Sequence, residues 1–325
     1  MGVFALPVLF LLATSEQPPG PVPDVRASQP DQPVTTQPVP LGNVDVVNEE
    51  PRYVAPTRLD KIGRIWAPVS INGQGPFRLV LATGANTSAL TPRLAETLGL
   101  RVDDARTVTM RGTTGSTTVP VVPVESLEIG DLLIEPRQLP VIPDALGGAD
   151  GVLGMDQLAN MRIDVDFRRD RITIMRSKNQ RAGSAVETIP LSVLKGRLLT
   201  VDATMDGVPV MAIIDTGSQV TLGNMALRLA LAERRARGMQ EGKLEQVMGS
   251  TLDVQVGTRL ETPTLRLGSV LVRNPAMTFA DFEIFKYWHM TGEPAMLIGM
   301  DVLGLLETMV IDYRRKELQV RLSRK

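Results

Sequence analysis

The chain of 325 residues has no cysteine. This excludes disulfides, thiol nucleophiles, zinc–thiolate sites and a lipidated cysteine. It has one histidine, His289, so a histidine-rich metal site is excluded too. A Ser-His-Asp triad would have to pass through that residue. His289 lies in Tyr287-Trp288-His289-Met290 with no nucleophile motif beside it, and it reads as a loop or packing residue. There is no Walker loop, no Gly-x-Gly-x-x-Gly after a strand and no set of zinc ligands, so no cofactor and no metal is expected. Net charge is −1 with no long basic run, which argues against nucleic acid as a partner. The longest apolar run near the start, Val3 to Ala13, is too short to span a bilayer.

What is present suits one large domain or two ordinary ones, and 43% hydrophobic residues supply a core. Ala13-Thr14-Ser15 fits a small-x-small cleavage site after the apolar run, so residues 1–15 read as a signal peptide, although no Lys or Arg precedes the run. Export is expected, to the periplasm in a bacterial cell. Gln17 to Pro40 holds eight of the 24 prolines, and residues 16–50 read as a flexible tether.

From there the chain repeats itself. Ile62-Gly63-Arg64-Ile65-Trp66 is similar to Lys195-Gly196-Arg197-Leu198-Leu199. Ile71-Asn72-Gly73 matches Met205-Asp206-Gly207, each an Asx-Gly hairpin signal between strand-like runs. Leu79-Val80-Leu81-Ala82-Thr83-Gly84-Ala85 has the layout of Ile213-Ile214-Asp215-Thr216-Gly217-Ser218. Val152-Leu153-Gly154-Met155-Asp156-Gln157-Leu158 matches Leu297-Ile298-Gly299-Met300-Asp301-Val302-Leu303. Ile163-Asp164-Val165-Asp166-Phe167-Arg168-Arg169 matches Val310-Ile311-Asp312-Tyr313-Arg314-Arg315. The order is the same in both halves. Residues 51–176 and 187–325 therefore read as two related lobes joined by a connector at 177–186. Short Val/Ile/Leu/Thr runs broken by Gly and Pro predict mostly strand. Helices are expected over Thr91–Leu98 and Gly223–Arg237, the second with an apolar face at Met225, Leu227, Leu229 and Ala230 and a solvated basic end at Arg234-Arg235-Arg237.

Asp215-Thr216-Gly217-Ser218, its counterpart Ala82-Thr83-Gly84-Ala85 and an apolar-apolar-Gly segment in each half resemble the bacterial retropepsin-like aspartic proteases in a tandem, single-chain form. The resemblance spans Tyr53 to Leu322. It implies an all-β, bilobal acid-protease fold, two pseudo-symmetric barrel-like lobes with few short helices and a cleft between them. It implies that Thr83 and Thr216 bond across to the opposite loop, and that Gly84 and Gly217 permit close backbone approach. It implies that Leu153-Gly154 and Ile298-Gly299 brace the loops from beneath. Flaps would be the hairpins at Gly112, Thr113 and Gly115 and at Gly249 and Ser250, closing over an extended peptide that pairs by strand addition. Asp156 and Asp301 read as helix N-terminal or surface-turn residues. Asp164 and Asp166 share one face of a strand and read as ion-paired with nearby arginines.

The chemistry turns on position 82. Two carboxylates held close share one proton. One takes a proton from the attacking water and the other hydrogen-bonds the scissile carbonyl. Here Asp215 stands alone opposite Ala82. The resemblance implies an aspartic-type endopeptidase acting on extended peptides, impaired by that missing carboxylate. Three alternatives stay open: an inactive peptide-binding pseudoprotease, a homodimer that pairs Asp215 of two chains, and a substitution at 82 of a parental Asp. The expected partner is a polypeptide substrate or peptide ligand.

Overall fold

The structure is a computed structural model that describes residues 4–5, 52–56, 64–129, 132–135, 138–155, 158, 161–169, 171–179, 186–194, 198–234 and 242–322. The signal-peptide and tether expectations lie outside these residues, save for the short β1 (Phe4–Ala5), and most of the 177–186 connector does too. Among the described residues no helix is long and apolar enough to cross a membrane.

The first half runs β2 (Arg52–Pro56), β3 (Trp66–Ile71), β4 (Gln74–Leu81), β5 (Ala89–Leu90), α1 (Pro92–Thr97), β6 (Asp103–Arg111) and β7 (Ser116–Pro123). It continues through β8 (Leu127–Ile129), β9 (Leu132–Ile134), β10 (Gln138–Pro140), β11 (Gly151–Leu153), β12 (Met161–Asp166) and β13 (Arg171–Arg176). The second half repeats the order. It has β14 (Glu187–Pro190), β15 (Ser192–Leu194), β16 (Leu198–Met205), β17 (Val208–Ile214), β18 (Leu222–Gly223), α2 (Met225–Arg234), β19 (Lys243–Met248) and β20 (Val254–Glu261). Then come β21 (Leu265–Leu267), β22 (Val270–Val272), β23 (Ala276–Phe279), α3 (Glu283–Tyr287), β24 (Ala295–Ile298), α4 (Met300–Leu303), β25 (Leu306–Asp312) and β26 (Glu317–Leu322). The backbone of β1 lies parallel to β19.

The Asx-Gly pairs form the hairpins that the sequence predicts. Asn72 and Gly73 have φ of 49° and 72°, and Asp206 and Gly207 have 51° and 75°. Two successive positive φ values match the twist of the flanking strands, which is why Gly follows an Asx residue there. Each hairpin's second strand leads to a Thr-Gly loop. β11 then returns between β4 and β5, parallel to the first and antiparallel to the second. β24 does the same between β17 and β18. The apolar-apolar-Gly segments are thus threaded through the loop of their own half.

The halves meet in one six-stranded sheet, ordered β14-β26-β25-β12-β13-β2. Its centre is the antiparallel pair β12 and β25, with Ile163 opposite Ile311. The order reads the same outward from that centre in both directions, so the sheet carries the molecule's pseudo-two-fold. Its inner face joins a core cluster that extends from Ile65 in one half to Val320 in the other. The fold is therefore the bilobal, all-β acid-protease arrangement.

The helices need correction at their edges. Thr91 is the cap of α1, its hydroxyl accepting from Leu94 N, and Pro92 opens the helix. α2 starts at Met225 because Gly223 pairs in β18, and Asn224 caps it by accepting from Leu227 N. Leu229 is 59% exposed, while Leu231 is buried beside Leu227. Met225, Leu227 and Ala230 pack on the core as predicted, and Leu229 is the one predicted member of the stripe that does not. Arg234 is exposed, as expected for a solvated end, and donates to Asp206 O at the hairpin; residues 235–241 are outside the described set.

Ile163 and Ile311 are fully buried at the seam of the two halves. Ile163→Ala or Ile311→Ala is expected to cost about 2–5 kcal/mol, read as a lower urea midpoint. A loss well below about 1 kcal/mol would mean that the seam is not a packed core.

Candidate active site

The two loops grip each other. Thr83 N donates to Thr216 Oγ1 at 3.1 Å, and Thr216 N donates to Thr83 Oγ1 at 3.0 Å. Each hydroxyl in turn donates to the strand end before the opposite loop, Thr83 Oγ1 to Ile214 O and Thr216 Oγ1 to Leu81 O, both at 2.7 Å. Both threonines are buried, so these bonds are made in a low dielectric with no water to compete.

The grip brings positions 82 and 215 to one place. A Cβ built on Gly217 would lie 2.8 Å from the Ala82 Cβ and 3.1 Å from Asp215 Oδ1. One built on Gly84 would lie 2.6 Å from Asp215 Cγ. Only glycine fits either position. Gly217 N donates to Asp215 Oδ1 at 2.8 Å, and Gly84 N reaches across to the same oxygen at 3.2 Å. The amides of both loops thus serve one carboxylate. Ala82 packs instead in an apolar cluster with Val80, Ala85, Met110 and Val152.

Asp215 is 0% exposed, and its Oδ2 has no hydrogen-bond partner among the described residues. Burial pushes its carboxyl up to about 7, against the pull of the Gly217 and Gly84 amides, the Arg64 charge and the Ser218 amide. Arg64 is a contributor that the sequence did not mark. It is fully buried, and its guanidinium donates to Leu146 O at 2.5 Å.

The bracing segments act through backbone bonds. Ala82 N donates to Leu153 O and Asp215 N to Ile298 O. Gly154 and Gly299 pass so close to Thr87 and Val220 that a side chain would collide. Their amides donate to Ser88 Oγ and Thr221 Oγ1. Sequence reasoning missed this hydroxyl pair, although each follows its Ala82 or Asp215 by the same interval. Asp301 lies in the first turn of α4, the helix N-terminal place that the sequence offered as one of two readings. Its carboxylate accepts from Thr221 N at 3.0 Å and Thr221 Oγ1 at 2.6 Å, and burial raises its titration point. Asp156 lies outside the described residues. Ser218 turns inward and donates to Val220 O. Asp164 pairs with Arg162 at 2.9 Å, and Asp166 pairs with Arg169 at 3.0 Å. No cluster of three or more metal-ligating side chains occurs among the described residues.

The expected flap residues sit at the tips of two hairpins, β6–β7 and β19–β20, and the tips touch. Gly112 packs on Ser250 and Thr251, Gly115 on Asp253, and Gly249 on Thr114. Thr114 Oγ1 donates to Asp253 O at 2.7 Å. Met110, just before the first tip, belongs to the cluster that holds Ala82.

A carboxyl that titrates near 7 when folded and near 3.8 when unfolded holds its proton in the folded state between those values. Its contribution to stability is full below about pH 4 and is lost as pH rises toward 7, by on the order of 1.4 kcal/mol per pH unit at most. Asp215→Asn is expected to flatten the fall in stability between pH 4 and 7 in urea titrations. An unchanged pH profile in that variant would show that Asp215 ionises normally in the fold.

Comparison with known proteins agrees with this geometry. The family described as "Aspartyl protease" matches residues 67–157 and 201–302, together more than half of the chain, one segment per half. No curated protein matches the sequence. Among solved structures, the crystal structure of Basic 7S globulin from soybean aligns at 11% identity with a TM-score of 0.46, over 84% of this chain and 96% of that one; the likeness is too loose to bear on the site. With two Thr-Gly loops gripping each other in the places the family profile covers, the chain belongs to the aspartyl protease family.

Proposed function

We propose that this protein engages extended peptide segments in an acid-protease cleft and, as written, hydrolyses them poorly or not at all. One observation carries the reading: the amides of both loops converge on Asp215 alone while a methyl group occupies the opposing position. A single carboxyl can act as base or as acid in one step, but it has no partner to do the other. Burial raises its titration point to about 7, so at mildly acid pH it keeps its proton and the role of base is unfilled. Thr83, Gly84, Thr216, Gly217 and Ser218 shape the loops, and Gly112, Thr113, Gly115, Gly249 and Ser250 form the cover.

The reading with a dyad built from Asp215 of two chains is less favoured. The second half already spends its grip and its β25 edge on its own first half. Pairing with another chain's second half would require breaking both, together with the buried seam.

The test is cleavage of unfolded protein substrates at pH 4 to 7, before and after Ala82→Asp. A positioned acid or base contributes roughly 10²–10⁴-fold, so the substitution is expected to raise the rate by at least about 100-fold. Strong, pepstatin-sensitive cleavage by the unaltered protein, linear in enzyme concentration, would overturn the impaired reading. Dependence on the square of concentration would favour the two-chain dyad.

A further inference from the structure

Asp215 has no solvent contact in this conformation, and Met110, next to the first flap tip, packs in the cluster that holds Ala82, so we take access for a peptide to require that the flaps part. Besides the contacts between the tips themselves, one element that holds them is not part of the duplication. Between β10 and β11 the first half has turns and no helix, whereas the second half has α3 at the corresponding place between β23 and β24.

α3 touches both flaps. Ile284 N, in its first turn, donates to Thr113 O at the tip of the first flap at 3.2 Å. Glu283 N donates to Gln255 Oε1 on the return strand of the second flap at 3.1 Å. At the other end of the helix, the Arg111 guanidinium stacks on the Tyr287 ring, 4.4 Å from its centroid. Ile284 and Phe285 anchor the helix in the core of the second half. A helix fixed to one half thus grips the flap of the other half at its tip and at the strand end leading into it.

We propose that α3 is a latch that keeps the flaps shut over the site, with the Arg111–Tyr287 stack as its releasable contact. The proposal rests on the peptide-engaging reading above for its purpose, though not for its geometry. The closed seam carries its own cost. Thr113 Oγ1, Ser250 Oγ and Thr251 Oγ1 are buried at the meeting tips and have no hydrogen-bond partner among the described residues. A buried unpaired hydroxyl costs at least as much as an ordinary hydrogen bond gains. The latch contacts and the unpaired hydroxyls oppose one another, so the closed state is held by few interactions. A peptide backbone entering between the flaps would supply donors and acceptors to those hydroxyls and to the Thr113 carbonyl that α3 releases.

The test is amide hydrogen exchange on the full chain, comparing the parent with Tyr287→Leu and Arg111→Gln. Tyr287→Leu keeps apolar bulk on α3 and removes the ring face. The flap-tip segments 111–116 and 248–253 are expected to exchange about two- to five-fold faster in both variants, the size of one partly exposed cation–π contact. The central-sheet segment 161–166 should keep its parental rate. Parental exchange at both tips in both variants would overturn the latch. So would an equal rise at 161–166, which reports loosening of the whole fold. Casein binding measured alongside separates the two claims. Faster tip exchange with no casein bound by any form leaves the latch standing and removes the peptide-engaging reading.

Discussion

Thr83 and Thr216 exchange four buried hydrogen bonds across the junction of the two halves, and the position of every other group in the site is set relative to that cross-link. Each hydroxyl accepts from one loop amide and donates to one strand-end carbonyl, so both of its capacities are filled from the opposite half. The backbone groups it satisfies have no other place to turn in a water-free junction. Because the two threonines do this reciprocally, the loops cannot slide past each other without breaking all four bonds together. The seam of β12 and β25 fixes the halves at one end, and the grip fixes them at the chemistry.

The electrostatic state of the site follows from that rigid frame. With the loops locked, the Gly84 amide is close enough to bond a carboxylate on the other loop. In a symmetric site its natural partner would be the residue at position 82. That residue is Ala, so the amide adds to the Gly217 amide on Asp215 Oδ1. Two amides and a buried arginine favour the anion, yet burial outweighs them and the carboxyl titrates near neutrality. The frame of a two-acid site is intact, and one acid is left in it.

Much of this was legible in the sequence because it is local and duplicated. The Asx-Gly hairpins need only two positive φ values. The Thr-Gly loops and the apolar-apolar-Gly segments recur in the same order, so each copy vouches for the other. Long-range contacts were not legible. Nothing in the neighbourhood of Arg64 shows that its charge ends up buried near Asp215, because its bonding partner Leu146 is 82 residues away. The helix N-terminal place of Asp301 was legible, but its bonds to Thr221, 80 residues away, were not. On α2, Leu229 lies two residues past Leu227 and so on the far side of the helix, whereas Leu231, four past it, shares the buried side. The contact of α3 with the flaps has no repeat to reveal it, since only the second half has that helix.

The account stands on the reciprocity of the grip, which a double-mutant cycle of Thr83→Val and Thr216→Val measures directly by urea unfolding of the full chain. Each hydroxyl serves a different pair of backbone groups, so independent bonds would give additive losses. A shared frame predicts that the first substitution already frees the loops and that the second costs much less, with a coupling of at least about 1 kcal/mol. Losses that add to within about 0.5 kcal/mol would mean that the two halves are not held together at Asp215 by this cross-link.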